Sequence, residues 1–231
     1  MIKDITVVFN KSMKMSDLID ADYNLLLLLN KLNIRLGFGE KSVEAVCREN
    51  NYDADCFIFL ANLQTNKSVT DLQETFNTLP LKPILKYLKG GHSYFLEYKL
   101  PHIRRKLQAV FVQEDTNLAS LVMKFFDDYT QEVREHMEYE DEVVFPYIES
   151  LLNGQKQDYS IGIFESRHND IEETVKELKQ ILMKYIPDIK DQSLITNILL
   201  DLYMCQSELR EHTFLEDFFT IPRIKELEKE I

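Results

Sequence analysis

The sequence predicts an all-α protein, an up-down-up-down four-helix bundle preceded by a small N-terminal helical domain. Three observations carry this. The 231 residues are 45% hydrophobic and 29% charged but include only six glycines and six prolines, a composition of folded helical chains rather than disordered ones. Four long segments, at 80–112, 117–152, 160–185 and 193–219, repeat their apolar residues at helical spacing. Between them lie three short polar separators, EDTN at 114–117, NGQKQD at 153–158 and PDIKDQ at 187–192. Short connections make neighbouring helices antiparallel. No stretch has the strand–turn–helix rhythm of an α/β fold.

Ahead of the bundle, residues 1–12 alternate Ile5, Val7 and Phe9 and read as a short strand or an arm. From Ser16 the pattern turns helical, with Ser16 as cap, Asp17 in the first turn and an apolar stripe of Leu18, Ile19, Leu25, Leu26 and Leu29. Gly37 and Gly39 break it. Ser42 opens a second short helix through Val43, Val46 and Cys47, and Asp53 precedes a third through Phe57, Ile58, Leu60 and Leu63. TNKSVTDLQETFNT is polar with sparse apolar residues and reads as a linker. The expected organisation is a helical domain at 1–65, a linker at 66–79 and the bundle at 80–231.

Charge and cysteines narrow the function. A net charge of −12 argues against nucleic acid as a partner, since phosphates must be met by clustered Lys and Arg. The longest aliphatic run, Leu25–Leu29, is far short of the roughly 20 residues of a membrane span. The opening MIKDITVVFNKSMKMSDLID lacks the apolar core and cleavage site of a signal peptide. Cys47, Cys56 and Cys205 are odd in number and lack CxxC spacing, which fits a reducing cytoplasm better than a disulfide framework or a zinc ribbon.

The five histidines are the informative residues. In an antiparallel hairpin, residues equidistant from the turn stand at one height. His92 and His136 have their midpoint at 114, His136 and His168 at 152, and His168 and His212 at 190, each at or beside a separator. One imidazole per helix therefore falls at one level. His102 fails the test, because its midpoint with His136 is 119, inside a helix. Two of the four carry a carboxylate one turn on, His136 with Glu140 and His212 with Glu216, and positions four apart share a helix face. HMEYEDEVVFP and HTFLEDFFTIP share His, Glu, Asp and a Pro ten residues after the His, and the spacings 92–136 and 168–212 are both 44. This is an internally repeated helical hairpin.

A lone histidine on an apolar face is commonly a packed core residue. Four imidazoles and two carboxylates buried together without compensation would be costly, and a metal removes that cost. Imidazole with carboxylate suits Fe, Mn or Zn, and six ligands are too many for one ion that keeps an open position. Two ions about 3.5–4 Å apart, bridged by Glu140 and Glu216 and by a solvent-derived oxygen, use the set economically. A ferritin-like site would need two Glu-x-x-His motifs, and only Glu165 with His168 matches. Glu165 is otherwise an exposed acid. A di-zinc hydrolase would need a general base that the sequence does not identify. Gly90-Gly91 beside His92 reads either as a close backbone approach or gas channel, or as a local helix break. Pro101 is expected to kink its helix, and Pro146 and Pro222 to shape helix ends. Tyr94, Tyr98, Tyr139 and Tyr203 are candidate donors near the site or packing residues.

Gly91-His92 with LEYKLPHI, EHMEYEDEVVFPYI, ESRHNDIEE and REHTFLEDFFTIP together resemble a hemerythrin-type HHE domain. More closely, the chain is similar over most of 16–222 to the repair-of-iron-centres di-iron proteins, which join a small N-terminal helical domain to such a bundle. The resemblance implies two iron ions with an oxo or hydroxo bridge, His92, His136, His168 and His212 as terminal ligands, and Glu140 and Glu216 as bridging ones. It implies repair of iron–sulfur clusters after nitrosative or oxidative damage, by iron release or redox chemistry, with NO, O₂ or peroxide as ligand and damaged iron–sulfur proteins as partners. The alternative is a hemerythrin-like O₂ or NO binding or sensing protein without turnover. Oxygen-carrying hemerythrins have a fifth ligand histidine, and the only spare here is His102. The family's Cys-Cys pair is replaced by Gly37 and Phe38, with only Cys47 nearby. Exposed N-terminal helices could pair two chains.

Overall fold

The structure, a computed structural model, describes residues 8–65, 72–111, 117–167, 172–185 and 191–230. The chain divides into two compact units, Met1–Gly91 and His92–Ile231. Among the described residues every named element is helical.

The first unit holds α1 (Met15–Ala21), α2 (Leu25–Lys31), α3 (Val43–Glu49), α4 (Ala54–Thr65), α5 (Leu72–Thr78) and most of α6 (Leu81–Ser93). Two of the residues that precede expected helices act as caps. The Ser42 hydroxyl accepts from the Ala45 N–H at 3.3 Å, and Asp53 Oδ1 accepts from the Cys56 N–H at 2.8 Å, each satisfying an orphan donor at a helix start. Ser16 does not cap: α1 begins one residue earlier, and its hydroxyl turns to Asp17 Oδ1 at 3.4 Å. The expected helix from Ser16 through Leu29 is interrupted at Asp22. There one carboxylate oxygen accepts from the Asn24 N–H at 3.0 Å and the other from the Thr65 hydroxyl at 2.7 Å, a turn that Asp side chains favour by bonding the backbone two residues on.

Ile5 and Val7 lie outside the described residues. Phe9 is buried, and its backbone N–H and C=O are both met by the Asn62 amide, at 2.8 and 3.1 Å, so it is held as an arm. Within the stretch expected to be the linker, residues 72–78 are helical and Phe76 is buried against Phe59, ring centroids 5.4 Å apart. One aromatic in a polar sequence anchors that helix.

The second unit begins at His92, the last turn of α6, and continues through a π-helical turn π1 (Tyr94–Lys99) into α7 (Leu100–Phe111). Then come α8 (Asn117–Tyr139), π2 (Glu140–Val144), α9 (Phe145–Leu152), α10 (Ile161–Arg167), α11 (Glu172–Lys184), α12 (Gln192–Leu215), π3 (Glu216–Thr220) and α13 (Ile221–Glu230). α7 packs on α8 and α12, and α11 packs on α8 and α12, which closes a ring of four helices. Cross-helix contacts give the directions. His92 meets Asp141 while Arg104 meets Asp127, and His92 meets His212 while Lys106 meets Asp201. Rising numbers on one helix meet falling numbers on its neighbours, so both pairs are antiparallel. The core is aliphatic and aromatic, with Leu107, Val122, Phe126, Val133, Leu178 and Ile198 fully buried.

Pro101, Pro146 and Pro222 each stand two residues beyond a π-helical turn, and in each case the chain continues as helix. Proline lacks the N–H of the i→i−4 bond and its ring presses on the preceding turn. A π turn widens that turn by one residue and accommodates the ring. Pro146 and Pro222 thus follow widened turns inside their helices and do not mark helix ends.

Of the two readings of Gly90, close approach is the observed one. A Cβ there would stand 1.8 Å from the Lys31 carbonyl oxygen, and α6 runs through the position unbroken. We therefore expect Gly90→Ala to destabilise the protein by about 2 kcal/mol or more, because overpacking outweighs the ~1 kcal/mol gain in helix propensity. Urea unfolding checks this, and an unchanged or raised midpoint would show that the two backbones part freely.

Candidate metal centre

Each functional side chain is placed by its helix turn. His136 and Glu140 lie one turn apart at the junction of α8 and π2, and His212 and Glu216 occupy the same junction between α12 and π3. His92 comes from the last turn of α6. Their side chains converge. His92 Nε2 lies 2.9 Å from Glu140 Oε2, His136 Nε2 lies 3.2 Å from Glu140 Oε1, and His212 Nε2 lies 3.1 Å from Glu216 Oε1. The Nε2 atoms of His92 and His212 approach to 3.2 Å. Ligand atoms of His92, Glu140, His212 and Glu216 all fall within 4.8 Å of one another. The Glu140 side chain is 0% exposed, and His92, His212 and Glu216 are buried, while His136 keeps 15% exposure.

The donor set fits a cation. Neither Glu140 oxygen receives an aligned hydrogen bond, although a buried carboxylate left so is strongly destabilising. Two imidazole Nε2 atoms facing each other require that at least one present a lone pair. Glu140 directs its two oxygens at different histidines, Oε2 at His92 and Oε1 at His136, as a carboxylate does when it spans two neighbouring ion positions.

Five of the six residues expected from the sequence are brought together: His92, His136, Glu140, His212 and Glu216. His168 lies outside the described residues. His102 stands apart, partly exposed, stacked on Tyr98 at 5.9 Å and 3.8 Å from Asp201. Glu165 is half exposed and takes Lys225 Nζ on both oxygens at 2.7 Å, which makes it a surface acid. Tyr139 bonds the Tyr159 hydroxyl at 3.0 Å, and Tyr203 is directed to Met183.

Spacing alone missed Asp141. Its Oδ1 lies 3.1 Å from His92 Nδ1, on the ring edge away from the cluster, where a carboxylate fixes the tautomer and orientation of a ligating imidazole. The signal was present in the shared Glu-Asp of the two repeats. Burial opposes a charge on His92, but Asp141 and Glu140 outweigh it and push its pKa up to about 9. Phe145 stacks on His92 at 5.4 Å and Phe164 on His136 at 6.1 Å, so apolar walls flank the polar cluster. In the N-terminal unit, burial pushes the Cys47 thiol up to about 12, which leaves it neutral and a poor nucleophile.

Residues 84–224 match the family model for the hemerythrin HHE cation binding domain. Comparison with curated proteins gives no match.

Glu140→Ala should lose at least one equivalent of bound metal by elemental analysis, whereas His102→Ala should lose none; equal losses would overturn the ligand set. In metal-free protein His92 holds its proton below pH 9, and that proton competes with a cation for the ring. Apparent Co²⁺ affinity should therefore rise with pH, by up to about tenfold per unit for this one proton, and level off above that value. A flat profile in competition titrations from pH 6.5 to 9.5, values set around the free and shifted histidine range, would count against it.

Proposed function

The chain belongs to the hemerythrin HHE cation-binding domain family, and from that premise we propose that it is a non-haem di-iron protein supporting repair of damaged iron–sulfur clusters. The observation that carries the di-iron part is Glu140, whose two oxygens address His92 and His136 separately. His92, His212, Glu140 and Glu216 would hold one ion. His136 and His168, sharing the same two glutamates, would hold the other. Iron held there supplies one-electron redox chemistry and an open position for NO, O₂ or peroxide.

The chain's own residues do the rest. Asp141, 3.1 Å from His92 Nδ1, favours the ring orientation in which Nε2 faces the cluster. Phe145 and Phe164 keep water from the imidazole faces, which strengthens every charge interaction inside. Glu140 has no aligned hydrogen bond to lock either oxygen, so its carboxylate can shift between partners. Cluster repair is supported by the resemblance over most of 16–222, bundle together with N-terminal helical unit, to the repair-of-iron-centres proteins. The family's thiol pair is absent and Cys47 is buried, so we assign the chemistry to the bundle alone. No helix among the described residues is long and apolar enough to cross a membrane, and we place the activity in the cytoplasm.

Metal analysis of protein purified with and without oxygen, together with optical spectra, tests the di-iron assignment; zinc in place of iron would overturn it. Repair is tested by restoring an enzyme whose cluster has been damaged by NO. Wild-type protein should restore it and Glu140→Ala should not. Reversible binding of O₂ or NO without restoration would instead assign the protein to storage or sensing.

A further inference from the structure

The two halves of the repeat differ beside the metal centre. EVREH at 132–136 and ELREH at 208–212 are offset by the same 76 residues as His136 and His212. Glu132 and Glu208 are thus equivalent, as are Val175 and Lys99. In one half Val175 is fully buried, and exposed Glu132 accepts from the Thr174 hydroxyl at 3.3 Å. In the other half Lys99, on π1, and Glu208, on α12, are both buried, with side chains 6% and 5% exposed and Nζ 3.6 Å from Oε1. One half places a buried valine where the other has Lys99 and leaves its glutamate exposed, so a buried pair at these positions is not common to both halves, and such a pair is seldom more stabilising than the apolar residues that could replace it.

The pair sits within a line of alternating charge. Lys99 Nζ lies 3.9 Å from Asp201 Oδ1, and Asp201 Oδ2 is met by Lys106 at 2.6 Å and approached by His102 at 3.8 Å. Tyr94 and Cys205 are buried against the same charges. Glu208 stands four residues before His212, about 6 Å along the same helix, which puts the inner end of this line next to the His92–His212 side of the centre.

We propose that Lys99 and Glu208 are a positioning pair that sets how tightly the His92–His212 side holds a divalent cation, making the two metal positions unequal. The inference rests on the metal-centre reading above. Glu208 attracts the cation and Lys99 repels it, and each interaction is doubled for a divalent ion. Removing one partner therefore exposes the other.

The test uses the full chain and Zn²⁺, titrated against a chromophoric chelator, with thermal melts to establish folding. Glu208→Gln should weaken one of two binding steps by about tenfold or more, Lys99→Met should strengthen that step comparably, and the other step should stay within about threefold. Lys99→Arg should restore wild-type behaviour. A purely structural pair would shift both variants in one direction or move both steps together, and either result, or no shift, overturns the proposal. If a single variant does not fold, Lys99→Met/Glu208→Leu, which copies the apolar half, should fold and bind its two ions alike; unequal steps in it refute the idea. Wild-type protein that takes up no Zn²⁺ would overturn the metal-centre reading itself, and this inference with it.

Discussion

A carboxylate with no exposed surface, set between two imidazoles from different helices, is the constraint on which the second unit turns. Glu140 meets His136 one turn back on its own helix and His92 on the neighbouring one, and the contact with His92 fixes the relative height of those two helices. Without a cation the cluster gathers several hydrogen-bonding groups into a dry place and satisfies them poorly. With one, the same groups would serve as ligands. Folding and metal uptake would then be linked, since a site of this kind has no counterpart in the unfolded chain.

The backbone contributes as much as the side chains. Glu140 and Glu216 each open a π-helical turn, and each turn is followed by a proline that an unmodified helix would resist. Widened turns of this type recur at functional positions because they re-aim side chains without ending the helix. Here they change the register between the ligand-bearing segment and the helix beyond it, twice and in matching places. Asp141, the residue after Glu140, is thereby brought to the far edge of the His92 ring.

The fold class and most of the centre were legible in the sequence because both depend on spacing. Three polar separators and the numbers of four histidines are enough to predict one level of a bundle, and the helix period supplies Glu140 and Glu216. The misses are of another kind. Ser16 looked like a cap, but the position of a helix start depends on which donors the neighbouring chain leaves open. Asp22 breaks a leucine stripe through Thr65, a partner far along the chain. Phe76 turns a polar stretch into an anchored helix through a single buried ring. Pro146 and Pro222 were visible, but that they follow widened turns is decided by local crowding and not by periodicity. His168, essential to the expected set, falls outside the described residues.

The doubling of the hairpin has an evolutionary implication. Either half alone carries two histidines and one glutamate of the expected set, too few for the pair of ions proposed above. Two such halves, repeated at an offset of 76 residues, together supply the whole set. Fusion of an ancestral symmetric dimer through a single connecting segment would yield this arrangement, and would free each copy to drift. Valine in one half and lysine in the other, at equivalent places, is the kind of divergence that such freedom allows.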